Sequence, residues 1–94
     1  MIHEVLGIGA ENARTGREIA KLLNLNGRDI SQMIELERRA GKPICATCDS
    51  RKPGYFIAKD RAEMERYCNQ LRHRAGEIFK TRAACLKSIQ NMEG

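Results

Sequence analysis

The chain has 94 residues, 41% of them apolar and 31% charged, with 17 Lys and Arg against 12 Asp and Glu for a formal charge of +5. That length holds one domain, or a small domain with an appendage, and excludes a dinucleotide-binding enzyme fold, a barrel or a two-domain catalyst. The mix of apolar and charged residues is that of a folded protein, and the basic surplus points to a polyanion, nucleic acid first. In chain order, residues 1–14 carry a short apolar stretch (Ile2, Val5, Leu6, Ile8) and read as a turn of helix packed on the segment C-terminal to it. Gly7-Ile8-Gly9 lacks a preceding strand, a third glycine and a Lys-Ser/Thr pair, so it reads as a plain turn rather than a phosphate loop. Thr15 followed three residues later by Glu18 is a capping box, and Ile19, Ala20, Leu22 and Leu23 give the short helix behind it an apolar face. Asn24 tolerates the left-handed backbone of a tight turn, Leu25 is expected to plug the corner, and Asn26 caps a second helix. That helix has Ile30, Met33, Ile34 and Leu36 as its apolar set and stops at Gly41 before Pro43. Residues 43–47 and 55–57 then read as two strands of a hairpin whose tip, 48–54, carries Arg51 and Lys52. A long helix is predicted over 61–91, with Asp60 as its cap.

Two helices joined by so short a turn need a small residue where they cross, a residue of unusual backbone in the turn, and apolar inward positions on the second helix. Ala20, Asn24, and Leu25, Ile30 and Ile34 meet these demands of a helix-turn-helix, whose second helix enters the DNA major groove. Facing outward are Gly27, Arg28, Ser31, Gln32 and Glu35. Arg grips guanine and Gln grips adenine in bidentate fashion, Ser reads bases less selectively, and Gly27 lets the helix start come close to the duplex. Asn26 joins this face at the helix start, while Arg17, Arg38, Arg39 and Lys42 flank it and suit phosphates. Glu35 stands close to the same surface and would repel phosphate unless it points along the groove.

Residues 15–34 resemble the helix-turn-helix of bacterial and phage regulators, and with the hairpin residues 15–57 resemble the winged-helix variant. The run Glu11-Asn12-Ala13 with Thr15-Gly16-Arg17-Glu18, then Arg38-Arg39 to Pro43-Ile44-Cys45-Ala46, then Gly54-Tyr55-Phe56-Ile57 is similar to small prophage-encoded winged-helix proteins of Gram-positive bacteria. The resemblance implies a mainly α fold: a winged helix-turn-helix domain at 1–58 with a β-hairpin wing, and a long C-terminal helix at 59–94. It also implies double-stranded DNA as the partner, bound through the second helix and through Arg51 and Lys52 of the wing. Asn24 departs mildly from the pattern, in which Gly is commonest.

Cys45-x-x-Cys48 supplies one edge of a tetrahedral zinc site, but Cys68, Cys85, His3 and His73 offer no second close pair. Cys45 therefore reads as a small apolar strand residue and Cys48 as a thiol near the tip, with a metal edge or a redox pair as alternatives. No metalloprotease motif, nucleophile elbow or pair of carboxylates in an apolar setting is present, so no enzyme, cofactor or small-molecule substrate is expected. Residues 1–12 lack the features of a secretory signal and no apolar run nears the ~20 residues of a membrane span, so a cytoplasmic chain with reduced thiols is expected.

Along the last helix, Met64, Cys68, Leu71, Ala75, Ile78, Cys85 and Ile89 alternate at spacings of four and three, with Arg82 in the one missing slot. This is a seam for another helix, and a homodimer through it would present two reading heads to a two-fold site. Arg66, His73, Lys80 and Lys87 recur every seven residues on the opposite face. Residues 1–58 hold nine cations and seven acids, residues 59–94 eight and five, so the helix carries the larger surplus. The sequence thus points to a phage or prophage transcriptional regulator. The competing readings are an interaction module that inhibits a host factor and an accessory protein of phage replication or packaging.

Overall fold

A computed structural model of the chain describes residues 1–47, 51 and 53–93. Two short 3-10 turns, Ile2–Val5 and Ala10–Asn12, precede helices α1 (Gly16–Leu23) and α2 (Gly27–Arg39). Strands β1 (Ile44–Ala46) and β2 (Tyr55–Ile57) come next, then helix α3 (Arg61–Glu93). The chain is mainly helical, with a small antiparallel hairpin and a long C-terminal helix, as its patterning predicts. No helix among the described residues is long and apolar enough to cross a membrane.

Local chemistry accounts for each boundary. The Glu18 amide donates to Thr15 Oγ1 and the Thr15 amide to Glu18 Oε1, both at 3.1 Å, which satisfies two of the amides that a helix start leaves open. Asn24 closes α1 in the left-handed conformation (φ 55°, ψ 46°), and the Leu25 amide returns to Ala20 O at 2.9 Å. Two residues later Asn26 Oδ1 accepts the Asp29 amide at 3.1 Å and opens α2. At its far end Gly41 takes φ +96°, and the Gly41 and Lys42 amides bond to Arg38 O and Glu37 O at 3.0 Å. This paired closure satisfies the last carbonyls and needs a residue without a Cβ penalty.

Ile2, Leu6, Ile19, Ile30, Ile34 and Ile44 form the core, with Ala20, Leu23, Met33, Tyr55 and Ile57 packed partly buried around it. Three expected members lie elsewhere: Leu22, Leu25 and Leu36 are 56%, 36% and 66% exposed. Leu36 stands two residues beyond buried Ile34, about 200° round the helix, so it faces away from the core. Leu25 stands at the rim of the corner, while Ile19 of α1 and Ile30 of α2 are the residues buried in the core.

Strand β2 is hydrogen-bonded along both edges. It pairs with β1 in the register Ile44 to Ile57 and Ala46 to Tyr55. On the other side Tyr55 exchanges amides with Arg14 at 2.8 and 2.9 Å, and Ile57 bonds to Gly7 and Gly9, each at 2.8 Å. The segment before α1 comes so near that a Cβ on Gly54 would lie 2.5 Å from Arg14 O, which glycine alone avoids.

Two buried glutamates tie the N-terminal turns to the helices. Glu37 of α2 accepts the Ile2 and His3 amides, each at 2.9 Å, and faces the His3 ring. Glu63 of α3 accepts the Lys59 and Ala10 amides at 2.8 and 3.3 Å, while its own amide donates to Asp60 Oδ1 at 2.9 Å. Asp60 is thus the cap of α3. The chain divides into two compact units, Met1–Met64 and Glu65–Gly94. The first contains the core and both glutamate ties; the described part of the second is the remainder of α3.

Candidate nucleic-acid interface

The buried side of α2 is fixed by Ile30 and Ile34, both nearly inaccessible, and by Glu37. Helical periodicity then determines what is left outside. Gly27, Arg28, Ser31, Gln32, Glu35, Leu36 and Arg39 are all exposed, on the side away from the core. Arg28 and Gln32 are four residues apart and Ser31 lies between them, so one face presents cationic, amide and hydroxyl groups together. A Cβ added at Gly27 would meet nothing within 4 Å, so internal packing places no demand for glycine there. Asn26 sits at the same end, but its carbonyl oxygen is engaged in the cap, leaving its NH₂ to donate outward.

The flanking cations divide into two groups. Arg17 on the first turn of α1 and Lys42 after α2 are exposed. Arg38 is turned toward the protein: its Nε donates to Ile44 O at 2.9 Å and its guanidinium lies 6.0 Å from the centre of the Tyr55 ring. It fastens α2 to the hairpin instead of standing on the outer face with Arg39. Glu35 lies 3.6 Å from Arg39 Nε and 4.0 Å from Arg38 Nη1, so its charge is answered within the helix. At the hairpin, Arg51 is exposed, and Lys52 lies outside the described residues, as do Ser50 and Cys48.

Two carboxyls of the first unit, Glu37 and Glu18, are held below the ordinary carboxylate range. Burial pushes Glu37 up, but the hydrogen bonds from the His3 amide and ring and from the Ile2 amide outweigh it, leaving the group below the ordinary carboxylate range. Glu18 is likewise lowered, by the Thr15 amide first and the Thr15 hydroxyl second.

Cys45 is buried and its thiol lies 3.7 Å from Met64 Sδ, a soft sulfur contact within the first unit. Among the described residues no group of three or more His, Cys, Asp or Glu side chains is placed to hold a metal ion. On α3, Met64 is half-buried, whereas Cys68, Leu71, Ala75, Ile78, Cys85 and Ile89 are exposed. Leu36 is the member of the outer α2 face that sequence patterning assigned to the core; its angular position relative to Ile34 was the available signal. Comparison of the chain with family models, with curated proteins and with solved structures gives no match.

Proposed function

We propose that the chain is a sequence-specific double-stranded DNA-binding protein of winged-helix type that regulates phage or prophage transcription. The observation that carries this reading is the outer face of α2, where Gly27, Arg28, Ser31 and Gln32 stand exposed behind a capped start. Ile30 and Ile34 anchor the opposite side. In this reading the N-terminal half of α2 lies in the major groove, where Arg28 and Gln32 read base edges. Arg17, Arg39 and Lys42 hold phosphates, and Arg51 with Lys52 rests on the backbone. The order of two helices and a hairpin, with β2 paired to Arg14 in the segment ahead of α1, supports the winged-helix assignment. A second copy joined through α3 presents the same face twice, suiting a two-fold symmetric site.

Selection of bound duplexes from a random pool, followed by salt titration of the winners, tests the proposal. A consensus sequence is expected, with affinity falling steeply as salt rises. Arg28→Ala and Gln32→Ala should each weaken the selected duplex by about 1–3 kcal/mol and relax preference at one position. Enrichment of no sequence, or affinity indifferent to salt and to both substitutions, overturns the reading.

A further inference from the structure

We infer that the exposed stripe of α3, residues 71–92, docks an acidic amphipathic helix of another protein. The inference goes beyond the proposed function, in which a second copy takes the same stripe, and it rests on α3 alone.

The stripe has the period of a seam between helices. In projection down the axis, Leu71, Ala75, Cys85, Ile89 and Met92 lie within about 60° of Ile78, and Phe79 and Leu86 continue the stripe along one flank. All of them are exposed, Ile78 and Phe79 by about two thirds. A side chain from a neighbouring helix enters a hole of four residues, spaced as i, i+3, i+4 and i+7. Ile78, Thr81, Arg82 and Cys85 have that spacing and, with Glu77, line a shallow open hollow on the helix surface. Leu71, Arg74, Ala75 and Ile78 repeat the arrangement one heptad earlier, and Cys85, Ser88, Ile89 and Met92 repeat it one heptad later. The first two of these successive holes therefore contain an arginine and the last does not.

Charge then selects the occupant. Between residues 68 and 92 five Lys and Arg stand against one acid, Glu77. That acid is already engaged by Lys80 at 3.2 Å, away from the stripe. Among the described residues no ion pair or hydrogen bond reaches Arg74 or Arg82 in the holes, or Arg72 on the flank beside Phe79. A helix with carboxylate-tipped side chains in the two arginine holes, an apolar one in the third and a further acid opposite Arg72 answers all three charges. The same helix covers Leu71, Ile78 and Ile89. Other occupants match less of this surface. A second copy brings another positive surplus to the seam and is the weaker competitor for it. An anionic bilayer would draw Arg82 into hydrocarbon with the middle of the stripe, and would leave Lys80 and Lys87 pointing away from the headgroups. A nucleic-acid backbone offers phosphates but nothing to cover Ile78, Phe79 and Ile89.

The test uses the full-length chain without DNA, so that its failure is read separately from failure of duplex binding. The probe is a fluorescent peptide of about four heptads with Leu along its seam, Glu on both flanks and Glu at two seam positions one heptad apart. A matched peptide with Lys at every Glu position is the control. Fluorescence anisotropy should show the acidic peptide bound at least about tenfold more tightly than the control. Arg72→Glu, Arg74→Glu and Arg82→Glu together should reverse that preference, with helix content kept by circular dichroism. Ile78→Gln with Ile89→Gln should weaken the acidic peptide at least about tenfold, because the contact also buries apolar surface. By sedimentation the complex should contain one chain and one peptide. Equal affinity for the two peptides, affinity for neither, or a complex holding two chains overturns the inference. So does acidic-peptide binding indifferent to the Ile substitutions, or binding to phosphatidylglycerol vesicles in place of the peptide.

Discussion

Glu37 sits in the last turns of α2 with its carboxylate on two backbone amides 34 and 35 residues away in the chain. Glu37→Gln keeps one acceptor oxygen and loses the other, leaving a buried amide short of a partner, for a loss of about 1–3 kcal/mol. Because the folded carboxyl is held below its ordinary value, its contribution is complete above the unfolded value and disappears as pH falls through the folded one. Thermal melts of wild type and Glu37→Gln from neutral pH to pH ~3 should therefore converge on the acid side. Gly27 gives the opposite kind of test, because its open surroundings let function be separated from folding. Gly27→Ala should leave the melting temperature unchanged or raised by the equivalent of about 0.4–1 kcal/mol. The added methyl group should still weaken duplex binding, measured by fluorescence anisotropy, since the helix start can no longer approach as closely. Unchanged affinity would place Gly27 outside the contact.

Caps explain why the two-helix element could be read before it was seen. Thr15 with Glu18, and Asn26 with Asp29, act across three residues, so their hydrogen bonds are written within one turn of sequence. The closure at Gly41 is local in the same sense. Glu37 and Glu63 were not legible, because their partners at Ile2, His3 and Ala10 are 34 to 53 residues away. Nor was the pairing of β2 with Gly7, Gly9 and Arg14, since short backbone bridges carry no side-chain pattern. Arg38 was misplaced for a related reason: a cation at a helix end reads as surface until the Ile44 carbonyl and the Tyr55 ring are brought beside it. Asn26 belongs to both the cap and the proposed interface, and Asn26→Asp distinguishes the roles. Aspartate caps as well as asparagine, so stability measured by urea unfolding should hold, while duplex affinity falls because a negative charge replaces an outward NH₂ near phosphate. Loss of stability with affinity retained would assign Asn26 to the cap alone.

The whole molecule separates two tasks along the chain: a near-balanced first unit with a polar helix face, and a basic helix with an apolar stripe. The outer face of α2 was largely legible, because Ile30 and Ile34 fix the helix phase; Leu36 was the exception, and the hairpin tip at Lys52 lies outside the described residues. If α3 joins two copies, Ile78→Asp should bind a duplex with one half-site as wild type does, yet lose most of the added affinity for a duplex with two. Titration of both duplexes checks this, and equal losses on each would place α3 in direct contact with DNA. The double pairing of β2 has a further consequence for how copies can meet. A strand with open amides invites edge-to-edge aggregation, but β2 is flanked by β1 on one side and by the segment from Gly7 to Arg14 on the other. The outer edge of β1 is three residues long and is entered through Pro43, which has no amide hydrogen to offer. Growth of the sheet from one molecule to the next is thereby discouraged, so the self-association proposed above would rest on side chains rather than on backbone pairing.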